Sequence, residues 1–276
     1  MADPIRLVGI DLDGTLLRPD HSVSTRTRRA LEAFQDAGHR VVVITGRSRF
    51  SALPRLEGVP IERVVCTNGA YEHDRDADRL VWSETVGADE AHGWEAELRE
   101  RFAHASFGWE GLESLVFDDA FHAAAGGDDE VERGSVRGRA PDGPLHKLYV
   151  RTAELAGADL QRAVAEILGA RAEAATSGVP FVELTAPGVT KARALERVAR
   201  AAGVSRERTV AIGDNLNDVP MLEWAGTGIA MGNAVAGARR AADEVTASNL
   251  EDGVALALER LLGRPFARHR PGTGTA

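Results

Sequence analysis

Cysteine is almost absent from this sequence, with Cys66 the one example in 276 residues. A single thiol excludes a disulfide framework and a cysteine-rich zinc site, and Cys66 is predicted to be a small buried hydrophobic residue. Long apolar runs are also missing, so no stretch of the sequence has the length of a membrane span, and the N-terminal residues lack the pattern of a signal peptide. These absences predict a soluble cytoplasmic protein.

Positive charge is scarce as well. Lysine and arginine together number 33 against 42 acidic residues, which gives a net charge of -9. An acidic chain of this kind is a poor general binder of nucleic acid or of anionic lipid, so neither partner is expected. The eight histidines are scattered without the spacing of metal ligands, so none is assigned to a site. The expected oligomeric state is a monomer or a homodimer.

The first eighty residues alternate between strand-like and helix-like patterns. Near-continuous apolar runs occur in "IRLVGID", "RVVVITGR" and "RVVCTNGA", at residues 5–11, 40–47 and 63–70. Such runs are typical of parallel strands covered on both faces. Residues 24–39 carry apolar side chains at helical spacing and stop at Gly38. The alternation predicts an α/β fold with a doubly wound parallel sheet.

The pattern changes near Leu80 and returns after Thr185. Between these points the strands alternate between apolar and polar residues, and helices are predicted at residues 89–103 and 157–168. Antiparallel strands with helices on one face fit this pattern. Residues 125–144 are predicted to form a loop and residues 264–276 a disordered tail. We therefore predict a parallel α/β core, residues 1–82 and 186–276, interrupted by an α+β insert, residues 83–185.

Polar residues come directly after four of the predicted core strands. They are Asp11 and Asp13, Thr45-Gly46-Arg47, Thr67-Asn68-Gly69, and the run from Gly213 through Asp214 to Asp218. Ligands bind beyond the carboxyl ends of strands in open parallel sheets. Four carboxylates gathered at that edge would repel one another unless a cation lay between them. Oxygen ligands without histidine or cysteine suit a hard ion, above all Mg²⁺.

Each of these residues also has an ordinary structural interpretation. Asp13-Gly14 could form a solvated turn, and Thr45-Gly46 could simply end a strand. Lys191 could be a solvated residue, although a cation at the start of a helix is locally unfavourable. Arg47 either contacts substrate or is solvated. Asn68 either binds phosphate or stabilises its turn, and the turn is favoured.

Four segments carry a family resemblance. "DLDGTLL", "ITGRS", "GVTKARAL" and "GDNLNDVPML" begin at Asp11, Ile44, Gly188 and Gly213. In this order and strand context they resemble the motifs of haloacid dehalogenase-like phosphatases, and the resemblance covers nearly the whole chain. The insert between the second and third motifs looks like the type IIB cap of Cof-type sugar-phosphate phosphatases. "VVCTNGA" and "IAMGNA" strengthen that assignment, while Ala192 departs from the glycine that often follows the motif lysine.

The resemblance implies a role for each motif residue. Asp11 is the implied nucleophile that forms an aspartyl-phosphate, and Asp13 the general acid and base. Mg²⁺ is implied to bind the Asp11 carboxylate, the main-chain carbonyl of Asp13, and Asp214. The implied phosphate-binding residues are Thr45, Gly46 and Lys191, with Arg47 as a further substrate contact. Asn217 and Asp218 are implied to orient Lys191 and the metal-bound waters.

The predicted function is a Mg²⁺-dependent phosphohydrolase that acts on a small phosphorylated metabolite, such as a sugar or polyol phosphate. One alternative is a phosphotransferase or mutase similar to phosphomannomutase, which would need a bisphosphate activator. The other is a non-catalytic sensor of phosphorylated metabolites. A sensor has no use for a nucleophile paired with an acid, so Asp11 together with Asp13 argues against it.

Overall fold

A computed structural model describes residues 6–125, 135–176 and 179–263. The predicted disordered tail and residues 126–134 of the predicted loop at residues 125–144 lie outside the described residues. The described chain divides into two compact units. The first unit contains residues 6–43, 59–61 and 195–263, and the second contains residues 44–58 and 62–194 with the gaps just given. No helix among the residues with assigned structure is long and apolar enough to cross a membrane.

Parallel strands form the centre of the first unit. The strands are β1 (Leu7–Ile10), β2 (Arg40–Ile44, whose last residue belongs to the second unit), β12 (Thr209–Gly213), β13 (Thr227–Ala230) and β14 (Glu244–Val245). Their order is β14-β13-β12-β1-β2, and every neighbouring pair is parallel. The predicted parallel α/β core is therefore confirmed. Its strands are buried almost throughout, which explains why their sequences are continuous rather than alternating.

Helices follow the strands of this unit. They are α1 (Thr25–Asp36), α6 (Lys191–Ala201, which starts in the second unit), α7 (Val219–Trp224), α8 (Ala236–Ala241) and α9 (Gly253–Gly263). The α1 helix begins where its sequence predicts, because the Ser24 side chain accepts a hydrogen bond from the Thr27 N–H. It buries Leu31 and Phe34 completely, each worth roughly 1.5–3 kcal/mol relative to an exposed side chain. The predicted helical spacing thus corresponds to the buried face.

The described residues of the second unit include two groups of paired strands and four complete helices. In the first group, β3 (Arg63–Cys66), β4 (Tyr71–Asp74) and β5 (Arg79–Ser83) pair antiparallel with one another. A six-stranded sheet, which we call the cap sheet, contains β6 (Ser106–Gly111), β7 (Leu115–Phe117), β8 (Ser135–Arg137), β9 (Leu145–Arg151), β10 (Glu173–Ala175) and β11 (Val182–Thr185). The helices are α2 (Arg49–Arg55), α3 (Ala88–Arg101), α4 (Asp119–Ala125) and α5 (Gly157–Leu168).

The cap sheet is mostly antiparallel, as predicted, with the order β10-β11-β9-β6-β7-β8. Two features correct the sequence prediction. The β7–β8 pair is parallel, and β8 lies inside the segment that was predicted to be a loop. The strand was missed because its neighbours are rich in Gly, Asp and Arg, which lower strand propensity.

One face of the cap sheet packs against helices. Trp94 and Leu98 of α3, and Leu160 and Val164 of α5, form one hydrophobic cluster with side chains of the sheet. The sheet residues in this cluster include Trp109, Leu148, Val150, Val182 and Leu184. Because side chains alternate along a strand, the residues between these point to the opposite face. That face carries Glu110, Lys147, Tyr149 and Glu183.

His146 titrates far below the usual range of a histidine. The ring is buried, and its Nε2 lies 2.8 Å from the Ser83 hydroxyl oxygen. Burial, with a smaller contribution from the Arg49 charge, lowers the pKa of His146 to about 4. The unfolded chain therefore binds a proton at this position more readily than the folded chain does.

Acid is therefore expected to destabilise the fold through His146. The contribution is absent above about pH 6.5 and grows as the pH falls toward 4, to about 3 kcal/mol. Urea titrations from pH 7 to pH 4 measure the free energy of unfolding. His146→Asn should lose less stability across this window than the wild type. As a control, replacing the exposed His104 with asparagine should leave the dependence of the unfolding free energy on pH the same as in the wild type. Parallel profiles for wild type and His146→Asn would contradict the assignment.

Candidate active site

Asp11 lies directly beyond β1. Its N–H extends the parallel ladder by one residue, donating to the Ile212 carbonyl at 2.9 Å, and its side chain is buried. The chain then turns, because Leu16 and Leu17 donate their N–H groups back to the carbonyls of Asp11 and Leu12. Asp13 lies in this turn and is half-buried. The two aspartates thus have different surroundings although only one residue separates them.

Asp214 lies beyond β12 in the same unit. Its Oδ1 accepts a hydrogen bond from the Thr15 hydroxyl at 2.8 Å, so the first and fourth motifs are joined directly. Asp218 is fully buried four residues later. Its Oδ2 accepts the main-chain N–H groups of Asp214 and Asn215, both at 2.9 Å. Asn217 is half-buried in the same turn, which the Asp218 carboxylate holds in shape.

Three carboxylates of this unit lie close together. One oxygen each from Asp11, Asp214 and Asp218 lie within 4.8 Å of one another. Buried like charges at this separation are strongly unfavourable without a counter-charge. The donor set contains only oxygens and therefore suits Mg²⁺ better than a soft metal. The acidic cluster thus fits the predicted ion, and it includes Asp218, which the family motif placed in a supporting role.

Gly14 permits the close approach of Asp214. Its φ is +75°, a left-handed conformation that favours glycine, and an added Cβ would lie 2.4 Å from the Asp214 Oδ2. Any side chain at this position would therefore displace a carboxylate of the acidic cluster.

Gly14→Ala is expected to weaken Mg²⁺ binding as well as stability. The left-handed backbone alone should cost about 1–2 kcal/mol, measurable by urea unfolding, and the displaced Asp214 should lower the affinity found by Mg²⁺ calorimetry. Gly38→Ala is the matched control, because Gly38 has a φ of +82° but open space around its Cβ position. It should lose only the stability that the left-handed backbone costs and should bind Mg²⁺ normally. Equal metal affinity in both variants would contradict the role given to Gly14.

The second unit contains the loop of Thr45, Gly46 and Arg47, which is predicted to bind phosphate. The Thr45 N–H donates to the Val65 carbonyl, and its carbonyl accepts from the Asn68 N–H, each at 2.9 Å. The hydroxyl oxygen of Thr45 accepts the Arg47 N–H at 3.1 Å. Arg47 is itself half-buried, and its carbonyl accepts the Thr67 N–H. Two loops predicted to lie side by side are therefore joined through their main chains.

A left-handed turn follows β3. Thr67, Asn68 and Gly69 have φ values of +54°, +53° and +118°. A Cβ on Gly69 would lie 2.7 Å from the Thr190 carbonyl, so glycine lets this turn approach the start of α6. That helix begins with Lys191, whose side chain is buried. The favoured interpretation of Asn68 as a turn residue agrees with its backbone, and its side chain also donates to Glu183 at 2.8 Å.

One charged cluster of this unit was not predicted from the sequence. The Lys147 ammonium, buried on β9, lies 2.7 Å from Glu183 and 3.7 Å from Glu110. Glu110 also accepts hydrogen bonds from the hydroxyls of Thr67 and Tyr71, each at 2.8 Å. Burial and the Glu110 charge raise the pKa of Tyr71 well above 10, so it remains a neutral donor. The available signal was a lysine in the middle of an apolar strand, in a chain with only two lysines.

The parallel strands and the acidic cluster beyond their carboxyl ends define a class of protein, an α/β enzyme with a site suited to a divalent cation. A family model for haloacid dehalogenase-like hydrolases matches residues 8–258, and the chain belongs to this family.

Similar proteins support the same assignment. Phosphatase YwpJ of Bacillus subtilis is 32% identical, over 94% of this chain and 100% of its own. The 5-amino-6-(5-phospho-D-ribitylamino)uracil phosphatase YitU of B. subtilis is 30% identical, over 90% and 94%. A solved structure, the subclass IIB sugar phosphatase BT4131, shares the fold with a TM-score of 0.79 at 22% identity, over 93% of this chain and 98% of its own. The predicted membership among haloacid dehalogenase-like phosphatases is confirmed.

Proposed function

We propose that this phosphatase hydrolyses a small phosphorylated metabolite, a sugar or polyol phosphate, through an aspartyl-phosphate on Asp11. The observation that carries the proposal is the buried acidic cluster that contains Asp11. YitU, by its name, acts on a phosphate attached to a ribityl chain, which supports a polyol phosphate. We also propose that the cap at residues 83–185 selects the substrate.

The reaction divides into two displacements. An oxygen of Asp11 attacks phosphorus while the bond to the leaving oxygen breaks, and Asp13 gives that oxygen its proton. Water then attacks the aspartyl-phosphate, and Asp13 takes a proton from it as phosphate leaves Asp11. The half-buried position of Asp13 supports this role, because the group must exchange protons with substrate and water.

Asp11, Asp214 and the main-chain carbonyl of Asp13 are the proposed Mg²⁺ ligands, with Asp218 beside them. When bound, the ion neutralises charge on the carboxylates and on the phosphoryl oxygens. Thr45 and the Gly46 N–H donate to phosphoryl oxygens, and Lys191 balances the charge of the transition state. Arg47 is a further proposed substrate contact, and Asn217 and Asp218 orient Lys191 and metal-bound waters. A cytoplasmic location and a monomeric or homodimeric state stay predictions of the sequence.

A panel of phosphorylated metabolites tests the proposal. Release of inorganic phosphate is measured with MgCl₂ and again with EDTA, using Asp11→Asn as the control for contaminating phosphatase. We expect release from sugar or polyol phosphates that depends on Mg²⁺ and on Asp11. Turnover that requires a bisphosphate activator would indicate a mutase instead. Binding of phosphorylated compounds without any release would indicate a sensor.

A further inference from the structure

Lys147 reaches from the cap sheet to a loop predicted to bind phosphate. Its ammonium donates to the Gly46 carbonyl at 2.8 Å as well as to Glu183. The side chain has no solvent exposure. A fully buried lysine is rare, and here its charge is directed at one main-chain oxygen of the "ITGRS" motif.

The Gly46 carbonyl and the Arg47 N–H belong to a single peptide group. Lys147 holds the carbonyl end, while the N–H end donates to the Thr45 hydroxyl oxygen at 3.1 Å. Rotation of this peptide would break both hydrogen bonds together. Because the Thr45 oxygen accepts the Arg47 N–H, its own hydroxyl proton must point elsewhere. The orientation of that proton therefore depends on the peptide that Lys147 holds.

Glu183 fixes the ammonium from the other side. One carboxylate oxygen accepts from Lys147 at 2.7 Å and the other from the Asn68 side chain at 2.8 Å. An added Cβ on Gly46 would lie 3.1 Å from Asn68 and 3.5 Å from Glu183, so these groups pack tightly around the peptide. A buried ion pair contributes little net stability. Holding a peptide in one orientation accounts better for the arrangement.

We propose that Lys147 is a positioning residue, which acts through the Gly46–Arg47 peptide to orient the Thr45 hydroxyl toward the phosphoryl group. The proposal rests on the proposed function, because it takes Thr45 to bind phosphate. It assigns to the cap sheet a part in the chemical step that is separate from contact with the substrate.

A double-mutant cycle tests the proposal. Lys147→Met with Glu183→Gln removes one charge of each sign, so the net charge of the buried cluster with Glu110 does not change. Thr45→Val removes the hydroxyl. With p-nitrophenyl phosphate at saturating Mg²⁺, Thr45→Val should lower kcat by ~10²-fold and the Lys147/Glu183 variant by ~10-fold. Independent effects would multiply to ~10³-fold. We expect the combined variant to lose no more than Thr45→Val alone.

Multiplied effects would overturn the proposal, since Lys147 would then act without Thr45. If circular dichroism shows that the Lys147/Glu183 variant does not fold, Glu183→Gln alone replaces it in the same cycle. Its smaller loss of kcat should then be absent when Thr45→Val is also present. The matched control removes the exposed Arg171–Glu97 pair of the same unit by Arg171→Met and Glu97→Gln, and kcat should not change. Asp11→Asn identifies the other failure: if it leaves turnover intact, the proposed function itself is wrong.

Discussion

Asp11→Asn is expected to lose several orders of magnitude in turnover while keeping its fold. The amide has nearly the shape of the carboxylate but lacks the charge that attacks phosphorus, so no aspartyl-phosphate can form. The N–H of Asp11 donates to Ile212 from the main chain, so the substitution leaves this hydrogen bond in place. Phosphate release under single-turnover conditions measures the effect without interference from product release.

Asp20→Asn is the matched control for this experiment. Asp20 is an exposed aspartate of the same unit, and its carboxylate accepts hydrogen bonds from Ser22. The same chemical change there should leave turnover as it is. Near-normal turnover in Asp11→Asn, with an unfolding curve like that of the wild type, would remove Asp11 from the role of nucleophile.

Asp13→Ala and Asp214→Ala are both expected to lose activity, but for different reasons. If Asp13 binds Mg²⁺ through its main-chain carbonyl, removing its side chain leaves the ligand in place, and the metal affinity should barely change. The rate should still fall by roughly 10²–10⁴-fold, the usual contribution of a general acid and base. Asp214→Ala removes a carboxylate of the acidic cluster and should lose most of the Mg²⁺ affinity.

Calorimetric titration of Mg²⁺ into both variants measures the affinities, and rates at saturating Mg²⁺ separate binding from chemistry. Recovery of Asp13→Ala by excess Mg²⁺ would show that its carboxylate is a ligand, and the proton-transfer role would then be wrong. Wild-type affinity in Asp214→Ala would exclude that residue as a ligand. The two variants therefore test the proton-transfer role of Asp13 and the metal-binding role of Asp214 separately.

The parallel core could be predicted because its strands are short, apolar and separated by helices with clear stops. The carboxyl ends of parallel strands lie at the same edge of a sheet, so polar residues that directly follow such strands lie at that edge. Asp11 and Asp214 could therefore be placed together. The helix at residues 157–168 has the predicted bounds, since its apolar spacing is regular. These features depend on local pattern and on general rules of sheet topology.

The missed features depend on contacts between distant residues. β6 contains two glycines, although glycine disfavours strands. A Cβ on Gly108 would lie 2.1 Å from the Phe117 ring, so close packing against Phe117 explains why this position is glycine. The partners of Lys147 lie 36 and 101 residues away in the sequence. Alternation along β9 can place Lys147 on a face, but it cannot identify what that face contacts.

The left-handed turn at Thr67 and Asn68 has a consequence for folding cooperativity. Left-handed backbone is strained for residues other than glycine, above all for a β-branched residue such as Thr67, and costs about 1–3 kcal/mol at each position. Glu110 and Glu183 of the cap sheet accept hydrogen bonds from these two side chains and offset that strain. The turn therefore reaches its final conformation only once the cap sheet has formed. Strand β3 and the cap sheet, although distant in sequence, should gain and lose structure as a single block.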